Sequence, residues 1–242
     1  IKIVGSHIDS PRLDLKANPV HEQDGIVYFR THYYGGIKKY QWTCIPLALI
    51  GVVYTKDGKK VDINIGLKDD DPIFYVSDLL IHMAQDQMKK TLAEGITGEQ
   101  LQAIAGTNAE EDLKPKEVFM KMLKDTYGIE EEDFAAAELE LVPATKSRDV
   151  GFDRSLIASY GQDDRVCSYA NLEAILQAKP GVKTQAALLT DKEEIGSYGN
   201  TGMESSYFVK FVMKLLALQG KDTILDFYET MENSEMLSAD VN

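Results

Sequence analysis

The sequence has only two cysteines, one tryptophan and four histidines in 242 residues, and no apolar run approaches the length of a membrane span. Cys44 and Cys167 are too few for a disulfide framework, so a reducing compartment is expected, with the cytoplasm as its simplest case. The first residues, Ile1-Lys2-Ile3-Val4-Gly5, lack the long apolar core and cleavage site of a signal peptide. Positive charge is scarce too. The 26 Lys and Arg residues face 39 Asp and Glu, a formal charge of −13 that argues against a nucleic-acid or anionic-membrane surface. It does not choose a substrate, because a pocket can carry the opposite sign to the whole. No internal repeat and no low-complexity linker is present. Any site that needs imidazole must draw on His7, His21, His32 or His82.

What is present is a chain with 44% hydrophobic residues, enough to bury a core as one large domain or two smaller ones. Ile1 to Val4 reads as a strand that delivers Gly5-Ser6-His7-Ile8-Asp9-Ser10 to its end. A His-x-Asp there lets the imidazole bind a metal through one nitrogen while the aspartate accepts from the other, or lets both side chains face the site. Residues 20 to 66 are β-rich, and Val52-Val53-Tyr54 and Val61 to Ile65 flank Asp57-Gly58, a hairpin signal. Ser77 is placed to cap a helix running through Leu79, Leu80, Met83 and Met88 to Gly95. Thr97 with Gln100 forms a capping box, and Pro115 opens a helix that Gly128 closes. His82 reads mainly as a packing or interface histidine. Residues 134 to 142 suit a half-exposed strand.

Gly161-Gln162-Asp163-Asp164-Arg165 precedes an apolar helical pattern, Val166, Ala170, Leu172, Ile175 and Leu176, that stops before Pro180. Taken alone, two aspartates at such a junction read as an N-cap and its neighbour. Ala186 to Leu189 reads as a buried strand delivering Asp191, Glu193 and Glu194 to a sheet edge, where open α/β sheets bind ligands. Adjacent glutamates there suit a division of labour in which one binds metal and the other moves protons, although an isolated Glu-Glu pair is commonly a solvated charge pair. Residues 207 to 218 and 224 to 231 form two amphipathic segments. The closing Asp240 is either a tail charge or a further ligand.

Four stretches occur in one order: Gly5-Ser6-His7-Ile8-Asp9-Ser10-Pro11, Gln162-Asp163-Asp164-Arg165, Asp191-Lys192-Glu193-Glu194-Ile195-Gly196-Ser197 and Ser238-Ala239-Asp240. In this the chain resembles the aspartyl aminopeptidase family of dinuclear zinc exopeptidases, over essentially its whole length. The resemblance implies an α/β fold: a mixed-sheet catalytic domain, residues 1 to 17 and 148 to 242, interrupted by a β-rich dimerisation domain with helices, residues 18 to 147. It implies two Zn2+ ions per active site, with Co2+ or Mn2+ as substitutes. His7 and Asp240 would hold one metal, Glu194 the other, and Asp163 would bridge them, with Asp164 falling where relatives often carry asparagine. Asp9 would support His7, and Glu193 would act as general base.

The activity implied is release of amino-terminal residues, preferably Asp or Glu, from peptides by a homo-oligomer in which dimers build a dodecamer. In some relatives a histidine of the insert reaches a neighbouring active site, and His82 is the candidate. Two other functions fit the same residues: a di-metal hydrolase of N-acyl amino acids, and a non-catalytic oligomerisation module with a degenerate metal site. The family pattern also places a final histidine on the second metal, downstream of Asp240, and none of the four histidines stands there. The chain is therefore expected to be a central fragment of a longer peptidase, with weak second-metal binding, poor peptide hydrolysis by this chain alone, and apolar surface uncovered around Ile1, Ile3 and the final helices.

Overall fold

The computed structural model describes residues 1–241. The chain starts in β1 (Lys2–His7), then runs through β2 (Arg12–Gln23), β3 (Ile26–Tyr34), β4 (Pro46–Tyr54), β5 (Lys60–Ile65), β6 (Phe74–Tyr75), α1 (Leu92–Gly95), β7 (Ala103–Gly106), α2 (Pro115–Tyr127), β8 (Ala137–Pro143), β9 (Arg148–Val150) and β10 (Leu156–Ala158). It continues with α3 (Gln162–Gln177), β11 (Gln185–Thr190), α4 (Tyr207–Ala217), α5 (Ile224–Glu232) and β12 (Glu235–Ser238). Two units result. One comprises residues 1–10 and 161–241, the other residues 11–160. These boundaries differ from those suggested by the sequence, because β2 begins at Arg12 and pairs within the second unit from its first residue.

In the unit of residues 11–160, seven strands take the order β5-β4-β6-β7-β3-β2-β8. β8 also pairs with β4, so that Leu141 faces Leu13 on one side and Leu49 on the other, and the sheet closes on itself. Leu13, Leu47, Leu101 and Leu141 are fully buried around Phe29, whose ring lies 5.6 Å from those of both Phe74 and Phe119. Each such side chain contributes roughly 1.5–3 kcal/mol by leaving water. The hairpin at Asp57-Gly58 forms between β4 and β5, and Gly58 takes the left-handed conformation that its turn requires. Pro115 opens α2, and Gly128 closes it at φ 71°.

The helix expected from Ser77 to Gly95 does not form. That stretch holds turns, a short 3-10 segment and the single turn α1, with Leu80, Ile81 and Met83 exposed. An amphipathic stripe becomes a stable helix only when something covers its apolar face.

In the other unit, β1 lies between β11 and β12, parallel to both. β12 came from a segment read only as a tail. The register sets Gly5 opposite Ser238 and His7 opposite Thr190, so all three strands end on the same side. β11, expected to be buried, is only half-buried, with Leu189 exposed. Ile3 is buried and Ile1 packs against the small cluster of Val212, Leu216 and Phe227, contrary to the uncovered surface expected there. The final helices do expose Phe211, Leu218, Ile224 and Leu225. α3 also departs from its pattern. Its buried residues are Asp164, Ser168 and Asn171, whereas Val166, Leu172 and Leu176 are exposed.

Candidate metal centre

Three parallel strands place their carboxyl ends together, and each delivers one part of the candidate site. β1 ends in His7, buried to 3% exposure. β12 is followed two residues on by Asp240, with the Ala239 amide tied to the Gly5 carbonyl at 2.8 Å. After β11 the chain turns through Lys192 at φ 68°, a left-handed position that starts the short 3-10 turn Glu193–Ile195. The first amides of such a turn have no partner inside it. Here Glu193 N and Glu194 N donate to the two carboxylate oxygens of Asp9, each at 3.2 Å. Asp9 therefore fixes the turn that carries both glutamates.

Asp9 also orients the imidazole. His7 Nδ1 lies 3.0 Å from the Asp9 carbonyl and 3.2 Å from its Oδ1, both acceptors, so that in the neutral ring these contacts favour the proton on Nδ1 and leave the Nε2 lone pair for a metal. Nε2 faces carboxylates: Asp163 Oδ1 at 3.2 Å, Asp240 Oδ1 at 3.7 Å and Glu193 Oε2 at 3.8 Å. Burial acts to lower the His7 pKa, but Asp9, Glu193 and Asp164 outweigh it and the net displacement is upward. Burial, then the Asp163 charge, raises the pKa of Glu194. So much negative charge around one imidazole calls for a cation.

Asp163 and Asp164 sit at the start of α3 but neither caps it; both have non-helical backbone, and the Ser10 hydroxyl donates to the Asp163 carbonyl at 2.8 Å. Asp164 is fully buried, and neither of its carboxylate oxygens accepts a hydrogen bond from an N–H or O–H group. Its neighbour Cys167 offers only a weak thiol donor. That thiol is pushed up to about 11, first by its contact with Asp164, then by desolvation and by the charges of Asp164, Asp240 and Asp163. Ligand atoms of His7, Asp164 and Asp240 all lie within 4.8 Å of one another. An orphaned buried carboxylate beside a free imidazole nitrogen and further carboxylates is a donor set that fits zinc.

All six residues singled out in the sequence, His7, Asp9, Asp163, Glu193, Glu194 and Asp240, fall in this one region. A cleft of ≈160 Å³ opens beside it, lined by His7, Glu193, Ser197, Met203 and Asp240 among others. Two larger clefts, ≈480 and ≈430 Å³, are mainly apolar and include neither His7 nor Glu193. His82 is exposed in the other unit. Asp164, which the resemblance set aside in favour of Asp163, lies in the same region and is the fully buried member of the pair. The donation of the Glu193 and Glu194 amides to Asp9 carries no sequence signature.

Fold and site together define an α/β protein whose parallel strand ends gather an imidazole and several carboxylates suited to a divalent cation. The chain belongs to the M18 family, the aminopeptidase I zinc metalloproteases, whose profile matches residues 1–242. It is 50% identical over 245 residues to a probable M18 family aminopeptidase 1 of Clostridium acetobutylicum, covering 100% of this chain and 53% of that protein. A crystal structure of an M18 aminopeptidase from Thermotoga maritima superposes with a TM-score of 0.95 at 46% identity, covering 100% of this chain and 54% of that one. The Saccharomyces cerevisiae mApe1 dodecamer shares the fold, with a TM-score of 0.72 at 20% identity over 100% of this chain and 54% of that one. The chain thus spans about half the length of these relatives. Among the described residues no helix is long and apolar enough to cross a membrane.

Proposed function

We propose that this chain carries the metal centre of a zinc-dependent aminopeptidase that releases amino-terminal residues from peptides, with a preference for Asp or Glu. The observation that carries this reading is His7 Nε2, left free by its Nδ1 contacts and facing Asp163, Asp240 and Glu193 within 3.8 Å. The acidic preference rests on the family resemblance alone. Two zinc ions would be held, one by His7 and Asp240, one by Glu194, with Asp163 between them. When bound, they would polarise a peptide carbonyl and make water acidic enough to attack near neutral pH.

In this scheme Glu193 accepts the proton of the attacking water and returns it to the leaving amine. It lies near enough to His7 to sit beside the metals. Asp9 keeps the imidazole in the tautomer that offers Nε2, and through the Glu193 and Glu194 amides it holds base and ligand on one rigid turn. A second ligand assignment has its own support. Asp164 groups with His7 and Asp240 and, among the described residues, has only the weak Cys167 thiol beside it, so it would join them on the first metal.

The protein is further proposed to form a homo-oligomer in the cytoplasm, dimers building a dodecamer through the unit of residues 11–160. The mApe1 relative is a dodecamer, and Leu80, Ile81 and Met83 leave exposed apolar surface beside His82, the candidate for a histidine supplied to a neighbouring copy. The deciding experiment combines elemental analysis of the purified chain with a panel of aminoacyl substrates before and after chelation. Bound zinc is expected in the chain, with chelator-sensitive release of amino-terminal Asp or Glu that is weak for this chain alone and strong for a chain extended over the rest of the relatives' length. Zinc with a different amino-terminal preference would refute the acidic specificity, N-acyl amino acid hydrolysis would replace the activity, and no bound zinc would leave an oligomerisation module.

A further inference from the structure

Helix α3 buries a polar face. Asp164, Ser168 and Asn171 are spaced four and three residues apart, which puts them on one side, while Tyr169, Leu172 and Leu176 are exposed. Buried polar groups persist at little cost only when they are satisfied. Ser168 and Asn171 are satisfied by a single chain of bonds to β1. The Ser168 hydroxyl donates to the His7 carbonyl at 2.7 Å. Ser6 Oγ lies 2.9 Å from Ser168 Oγ, and Asn171 Nδ2 donates to Ser6 Oγ at 3.0 Å. A serine has one proton to give. Ser168 gives its proton to His7, so Ser6 must donate to Ser168, and the chain runs one way from Asn171 through Ser6 and Ser168 to His7.

Every link crosses between β1 and α3. β1 carries His7, and the first turn of α3 carries Asp163 and Asp164. The ladders to β11 and β12 hold β1 in its sheet but do not set its position along α3. An apolar contact of the same shape would hold the two elements together yet let them slide, whereas directional, fully satisfied bonds select one register. Ser10, three residues beyond His7, ties the other end of the junction through the Asp163 carbonyl.

We propose that Ser168, backed by Ser6 and Asn171, is a positioning residue of the metal centre: it sets the placement of His7 against Asp163 and Asp164, and thereby metal affinity. The inference rests on the metal-centre reading above. The test uses the whole chain, stripped of metal, with Zn2+ affinity read by competition against a chromophoric chelator and Co2+ coordination read from its visible absorption. Ser168→Ala is expected to weaken Zn2+ binding by about 10–100-fold and to alter the cobalt spectrum. Ser168→Thr keeps the hydroxyl and is expected to restore both.

If the unaltered chain binds no zinc, the metal-centre reading fails and takes this inference with it. Should the unaltered chain bind zinc while Ser168→Ala binds equally well with an unchanged cobalt spectrum, the inference alone is overturned. The same holds if Ser168→Ala only lowers the metal-free melting temperature, since that is a merely structural tie. Where Ser168→Ala does not fold, Asn171→Ala takes its place. It leaves the Ser168–His7 bond but removes its backing, so weaker zinc binding with the same spectral change supports the inference and unchanged binding refutes it.

Discussion

Replacing Asp164 by asparagine separates two effects that a metal centre normally combines. In the metal-free chain Asp164 is fully buried with neither oxygen hydrogen-bonded to N–H or O–H, among several other carboxylates. Leaving such a group unsatisfied costs roughly 1–3 kcal/mol, and more when it is charged. Asp164→Asn keeps the shape, removes the charge and supplies two donors to neighbouring carboxylates, so the metal-free chain should gain about 1–3 kcal/mol. At about 2–4 °C per kcal/mol for a chain of this size, its midpoint should rise by roughly 2–12 °C. Zinc should then do less. At a free concentration 100 times its Kd, zinc stabilises the unaltered chain by about 2.7 kcal/mol; a 100-fold weaker site would gain only about 0.4 kcal/mol. Scanning calorimetry with chelator and with zinc measures both quantities, taking the transition of the unit that holds the site. A lower metal-free midpoint would mean that Asp164 already has a favourable partner. An undiminished zinc shift would remove it from the ligands.

Glu193→Gln should keep its zinc while peptide hydrolysis falls about 10²–10⁴-fold, because the change removes a proton acceptor and no ligand; near-normal turnover would assign the base elsewhere. Asp163→Asn should loosen both metals together and Glu194→Gln mainly one, read by calorimetric titration of zinc; equal and independent effects would exclude Asp163 as the bridge. The metal-free chain should lose stability as pH rises, beginning above 4.5 through Glu194 and above 6.5 through His7. His7 and Glu194 both have folded pKa values raised above their ordinary 6.5 and 4.5, so each contributes stability fully present below that value and lost as pH rises through the raised one. Zinc should reverse the trend, since its ligands must be deprotonated. Thermal melts across these pH values check both signs, and a metal-free chain that gains stability as pH rises would contradict them.

The sequence by itself determined features that depend on a few neighbouring residues. Asp57-Gly58 makes a hairpin, Pro115 and Gly128 bound a helix, and Thr97 with Gln100 caps a short turn, because each is a local backbone preference. The candidate site residues were legible only as a set: His-x-Asp, the Asp-Asp doublet and Glu-Glu are each commonplace alone, and their order along the chain marked them. Tertiary structure alone decided which surfaces met. Residues 77–95 carry a helical stripe, but helix stability comes from a covering partner, which the pattern does not encode. α3 carries an apolar stripe yet buries Asp164, Ser168 and Asn171, because directional bonds to β1 replace apolar contact on that side. The family resemblance, not the local pattern, ranked Asp163 above Asp164. Both are aspartates one residue apart, and only the packing of α3 against β1 and β11 leaves one of them buried and without a conventional donor.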